Sequence, residues 1–258
     1  MDKLTRISSV LIFLTIVFMV LGWYYYKTQG GPGIPFDGIN HGIIALIGIY
    51  AFGRLWKGYQ KTKNLNQKYL SYYIFGWVVA GATVALTSLY FFDNALLLGM
   101  SYLIATVSVT WGTAYFLRIP FSINNLPLWE KLIFWGWLVF GGLLIVGSTV
   151  IYFPKTYVNE SGFLIYNTHP FLGPLSYLFY SLIMGSVASY FFYQAARAKE
   201  KIVRIRAVCV GIGSFSSVGL IFRIFGGGPL ASLGEFIVAI GFLFFLAGFL
   251  YETKSARA

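Results

Sequence analysis

The feature that most constrains this chain is the recurrence, along its whole length, of apolar runs of about 18 or more residues, broken only by short polar punctuation. Wound as an α-helix, a run of that length matches a hydrocarbon core of ~30 Å. Strands of a lipid-facing barrel would alternate apolar and polar residues, and these runs do not. Charge points the same way. Only 10% of the 258 residues are charged, 58% are apolar or aromatic, and mean hydropathy is +0.73. Such a chain has too few charges to cover a water-facing surface. The sequence therefore predicts an all-α polytopic integral membrane helical bundle, a single transmembrane domain over residues 1–258 with the lipid bilayer as its surroundings.

The runs place helices at about residues 7–26, 39–56, 70–92, 95–117, 129–153, 171–196, 204–225 and 230–251. The first comes after Met1, Asp2, Lys3 and Arg6, as a secretory signal would. It is too long for a signal core, ends in Trp23-Tyr24-Tyr25-Tyr26 and lacks a small-residue cleavage site, so it reads as a retained helix. With eight crossings, sixteen of the nineteen Lys and Arg gather on one side, among them Arg54, Lys57, Lys61, Lys63, Lys68, Arg118, Lys131, Arg197, Lys199, Lys201, Arg204, Arg206, Lys254 and Arg257. Only Lys27 and Lys155 fall on the other side, and Arg223 lies within a run. The positive-inside rule then puts both termini in the cytoplasm of a multi-pass plasma-membrane protein. The competing count is seven, with one of the last two runs re-entrant around Gly226-Gly227-Gly228-Pro229 and the carboxyl end outside. The net charge of +11 is spread between hydrophobic runs rather than gathered on a soluble domain, so it speaks for orientation and against nucleic acid. The basic loop with Lys57, Lys61, Lys63 and Lys68 fits the same role, or contact with anionic lipid headgroups.

The outer segments, residues 27–38, 92–94, 154–170 and 226–229, are too short to form a domain, so function belongs to the bundle or its rims. Charge inside a run is the first signal there, since an unpaired ion in hydrocarbon costs at least ~2.5 to 3.5 kcal/mol. Arg223 lies near the outer end of the seventh run and Glu235 near the start of the eighth. A tight Gly-Pro connection makes these runs antiparallel neighbours, so an Arg223–Glu235 intramembrane ion pair is expected, with a ligand or proton role as its functional counterpart. The two histidines are the second signal. His41 opens the second run and His169 precedes Pro170 at the start of the sixth, both on the outer rim, with His169 where a helix cap would sit. They are candidates for a ligand-contacting or pH-sensing role. They are also the one pair that could hold the iron of a haem b between separate helices, and the sequence points to no other metal.

Other chemistry is missing from the pattern. The single Cys209 allows no intramolecular disulfide and no Cys-ligated cluster. There is no phosphate-binding Gly-rich loop, no His-Glu-x-x-His and no Gly-x-Ser-x-Gly, which points away from an enzyme and gives no catalytic residues. Asn159-Glu160-Ser161 has the glycosylation pattern within the longest outer segment. Trp23, Trp56 and Trp129 fall where interfacial belts form. Ser181, Gly185, Ser186 and Ser189 in the sixth run, and Gly211, Gly213, Ser214, Ser216, Ser217 and Gly219 in the seventh, predict close helix approach and an interior position for both.

From Ser186 the chain reads SVASYFFYQAARAKEKIVRIRAVCVGIGSFSSVGLIFRIFGGGPLASLGEFIVAIGFLFFLAGFLYE. It runs through an aromatic helix end, a basic segment, a Gly- and Ser-bearing helix, a Gly-Pro turn and a last apolar helix. This resembles the close of the multi-helix, seven-transmembrane-type sensor regions that precede histidine kinase and cyclase domains. Residues 44–86 are similar to their early helix pair. After Tyr251 only Glu252 to Ala258 remain, so the resemblance implies a sensor without an output domain that signals through a membrane or cytoplasmic partner. The expected function is a non-enzymatic receptor- or sensor-like protein, or an accessory membrane subunit, with a small-ligand or partner site at the outer rim and no required cofactor. A quinone-linked electron-transfer subunit with haem b on His41 and His169, and a small-solute transporter gated by Arg223 and Glu235, are the alternatives.

Overall fold

A computed structural model describes residues 3–225 and 228–255; Gly226 and Gly227 of the last connection and Arg257 near the carboxyl end lie outside the described residues. All eight apolar runs form helices long and apolar enough to cross a membrane, the last two included. In chain order these are α1 (Lys3–Thr28), α2 (Phe36–Thr62), α3 (Leu65–Tyr90) and α4 (Ala95–Phe116), then a short α5 (Arg118–Ile123). The fifth run is α6 (Pro127–Gly141), a π segment (Gly142–Val146) and α7 (Gly147–Ile151). The remaining three are α8 (Leu172–Arg197), α9 (Lys201–Ser216) continued by a 3-10 segment (Ser217–Phe225), and α10 (Pro229–Ser255).

The punctuation works as the residue chemistry requires. Asn64 and Asn94 cap α3 and α4, their side-chain oxygens accepting from the Asn66 and Leu97 amides at 2.9 and 3.0 Å. Pro127 occupies the first turn of α6, where its missing N–H costs nothing. The seventh run changes character at its serines. Ser214 and Ser216 donate to the Val210 and Gly213 carbonyls at 2.8 and 2.7 Å, competing with the helical ladder, and the chain tightens into the 3-10 segment just beyond.

The longest connection between helices is not the plain loop that its sequence implies. Residues 154–170 contain an antiparallel hairpin, β1 (Lys155–Val158) and β2 (Leu164–Asn167), with Lys155 opposite Asn167 and Val158 opposite Leu164. Side chains alternate between buried and exposed along both strands, the period of two that a short strand shows and a scan for helical runs passes over. The Asn159 side-chain oxygen is spent on the hairpin tip, accepting from Ser161 and Phe163 amides at 3.1 and 2.9 Å. Gly162, at φ +88°, completes the turn, and its backbone touches Ile34 while Gly33, at φ +58°, touches Ser161. Phe36 stacks on Phe163 with ring centroids 5.2 Å apart. The hairpin tip is thereby clamped to the start of α2.

The helices close a circuit: α2 packs on α3, α3 on α4, α4 on α6 and its π segment, that segment on α8, α8 on α9, α9 on α10, and α10 back on α2. Helix α1 packs on α2 and α3 from outside the circuit, with only 11% of its span buried against 61% for α3 and 50% for α2 and α10. The sixth and seventh runs, expected to be interior, are each only 39% buried, so the small residues there serve close approach on one face. Gly219 meets Gly234 backbone to backbone, for instance, which seats the 3-10 segment on α10.

The helix ends bearing Lys57 to Lys68, Arg118 to Lys131 and Arg197 to Arg206 form a basic rim, and the opposite end of the bundle is the hairpin rim. Towards the basic rim the core is aromatic: Tyr73, Phe116, Phe191, Phe242 and Phe245 are buried together, with Tyr73 and Phe116 stacked at 4.5 Å. That rim is tied by Glu130, whose Oε1 accepts from Tyr69 at 2.7 Å and from Arg118 Nε at 2.8 Å. The Arg118 guanidinium also lies over the Tyr69 ring, 4.3 Å from its centroid.

Candidate ligand-binding site

Inside the circuit, beneath the hairpin, lies a cavity of about 110 Å³. His41, His169, Arg223 and Glu235 all line it, so the four residues singled out by charge and by imidazole chemistry share one chamber. Each arrives there for a local reason. His41 sits on the second turn of α2, where Nδ1 lies 2.8 Å from the Asp37 carbonyl and donates to it. Arg223 comes from the 3-10 segment, and Glu235 from the second turn of α10.

The Arg223 guanidinium contacts Glu235 Oε1 directly, and Glu235 Oε2 is 3.4 Å from His41 Nδ1. Glu235 is only 2% exposed, so water does little to compensate its charge and the neighbouring groups must. Arg223 also stands over the Tyr166 ring, 4.6 Å from its centroid. Tyr166 belongs to β2, outside the spanning helices. Burial holds its phenol well above the usual tyrosine range, and the neighbouring Arg223 pulls partly the other way.

Asp37 completes the arrangement and is the residue that sequence reasoning missed. It lies in the first turn of α2, 2% exposed, and both of its oxygens are engaged: Oδ2 accepts from the Leu164 amide of β2, and Oδ1 accepts from the Ser232 hydroxyl of α10, each at 2.5 Å. One carboxylate thus joins α2, the hairpin and α10. A helix start at residue 39 leaves Asp37 in an outer loop, whereas α2 begins at Phe36. An acid just before an apolar run is a first-turn signal that would have enrolled it.

His169 is held differently. Its Nδ1 accepts from the Phe171 and Leu172 amides at 3.2 and 3.1 Å, capping α8, and its ring meets Tyr152 edge-on at 5.5 Å. Its Nδ1 is thereby committed as an acceptor, leaving Nε2 for the cavity side or for a ligand. Tyr102 of α4 and Tyr177 of α8 also line the chamber, their hydroxyls 2.6 Å apart. No sequence signal distinguished them among the chain's 19 tyrosines.

Deeper in, the walls include Ile44, Trp77, Val109, Thr110, Tyr180 and Val238. From Tyr102 to Thr110 the cavity tracks α4 for about 12 Å at 1.5 Å per residue. The chamber is thus narrow and long, with a charged, aromatic ceiling at the hairpin rim and an apolar shaft that ends on the aromatic core. No known protein family, curated protein or solved structure matches this chain.

Proposed function

We propose that the protein is a non-enzymatic, multi-pass receptor- or sensor-like module of the plasma membrane, or an accessory membrane subunit, whose small-ligand site is the cavity under the hairpin. The observation that carries this reading is the convergence of Arg223, Glu235, His41 and His169 on one chamber. Intramembrane charge is costly to keep and serves function by default. The hairpin rim is the outer face and both termini are cytoplasmic, supported by the gathering of basic residues at the opposite rim. Occupancy would be felt on α2, α4, α8, the 3-10 segment, α10 and the hairpin together, because each contributes to the wall. A partner in the membrane or cytoplasm then reads the rearrangement.

Ala105→Trp tests the site. Ala105 lines the cavity, so an indole there fills it. The variant should keep its fold and lose the thermal stabilisation that small amphiphiles give the parent protein in detergent. If Ala105→Trp folds and is stabilised as much as the parent, the cavity is not the binding site.

A second reading has one observation in its favour: His41 on α2 and His169, three residues before α8, line the same cavity, so a haem b electron-transfer subunit would take its two imidazoles from them. Protein purified from haem-replete cells and reduced with dithionite would then show a sharp α-band, which His169→Ala would remove. A colourless preparation ends this reading.

A further inference from the structure

We infer that the ligand is an organic monocation, a protonated amine carrying a slender apolar tail, held by Glu235 and the aromatic ceiling of the cavity; this rests on the proposal that the cavity is a ligand site.

Charge counting leads there. The buried groups at the ceiling are the Asp37 and Glu235 carboxylates, the Arg223 guanidinium and the His41 imidazole. At pH 8 an imidazole is uncharged by its ordinary basicity, so one cation faces two anions and the group carries one net negative charge. An uncompensated charge walled off from water favours whatever neutralises it. An anionic ligand would deepen the imbalance, and a neutral one would leave it standing.

Geometry selects among cations. Asp37 does not line the cavity and both its oxygens already accept, whereas Glu235 does line it. An incoming ammonium would therefore find Glu235. Among the described residues no group of three His, Cys, Asp or Glu converges on a metal-sized position, which disfavours a bare divalent ion. Tyr102, Tyr166 and Tyr177 offer π faces and hydroxyls at the same level, and Tyr166 already carries one cation, Arg223. Below the head position, the shaft between Ile44, Val109, Ile145 and Val238 suits an unbranched alkyl or single-ring tail.

Three probes of one tail and different heads test this: n-hexylamine, n-hexanol and hexanoate, at equal concentration, on detergent-purified full-length protein at pH 8. Melting is read by intrinsic fluorescence. Hexylamine should raise Tm by about 3 °C or more, well beyond either other probe. Glu235→Gln should abolish that shift, and so should His41→Lys, which places a tethered ammonium in the same group. His41→Lys keeps the test decisive if Glu235→Gln fails to fold.

Stronger stabilisation by hexanoate, or equal stabilisation by all three, overturns the cation assignment and leaves the ligand site standing. An amine shift that survives in His41→Lys overturns it too, since the amine then binds elsewhere. If none of the three probes acts, the ligand-site reading falls together with the inference.

Discussion

At the scale of single residues, Asp37 governs the ceiling of the cavity. Replacing it with Ala removes both acceptors and leaves the buried Leu164 amide and Ser232 hydroxyl without them. Asp37→Ala should lower stability by about 2 to 3 kcal/mol, measured as unfolding in detergent, with faster hydrogen exchange at the Leu164 amide. Tyr166 gives a pH prediction. Its phenol titrates higher in the folded than in the unfolded chain, so its stabilising share is complete below about pH 10 and is lost as pH rises through the folded value. Tyr166→Phe should therefore blunt the fall of Tm above pH 10. Arg223, Glu235 and the two histidines were legible in sequence because charge and imidazole are conspicuous in an apolar chain. Asp37 was hidden by an error of three residues in one helix boundary, and the tyrosines by their abundance.

At the scale of elements, helix-forming runs were legible because lipid demands that each segment satisfy its own backbone, so every long apolar run must be helical. The finer states were not, since they depend on contacts distant in sequence. The hairpin exists because Asp37 and the Gly33 backbone receive it, and neither is near residues 155–167 in the chain. The 3-10 segment, too, is seated by Gly234 of the next helix. Gly234→Ala would place a methyl against the Gly219 carbonyl, a backbone contact that cannot give way. It should push the 3-10 segment from α10 and loosen the Arg223–Glu235 pair, at a cost of about 3 kcal/mol or more. A fall in Tm larger than that of Gly136→Ala, whose added methyl meets nothing within 4 Å, checks this.

At the scale of the whole molecule, the eight-helix count was legible in hydropathy and charge, while the arrangement of those helices was not. Small residues suggested that α8 and α9 were central, yet α3 is the most enclosed and α1 stands outside the circuit. Interior position depends on which faces meet, and a helix apolar all round carries no record of that. The proposed orientation makes a direct prediction. In a Cys209→Ser background, a cysteine at Ser161 on the hairpin tip should react with a membrane-impermeant maleimide added to intact cells. One at Asn125, in the connection between α5 and α6, should react only after lysis; the reverse pattern would invert the topology. The hairpin also bears on how such a protein can diversify. Residues 155–167 supply one side of the chamber through Tyr166, and they are fastened to the helices by the Asp37 carboxylate, the Gly33 and Gly162 backbones, the Phe36–Phe163 stack and the packing of Leu164 and Tyr166 on Val84 and Leu98. On the proposed reading of the chamber as a ligand site, exchange of exposed ribbon residues such as Tyr157, with those fastenings kept, would alter what enters while the helices stay as they are.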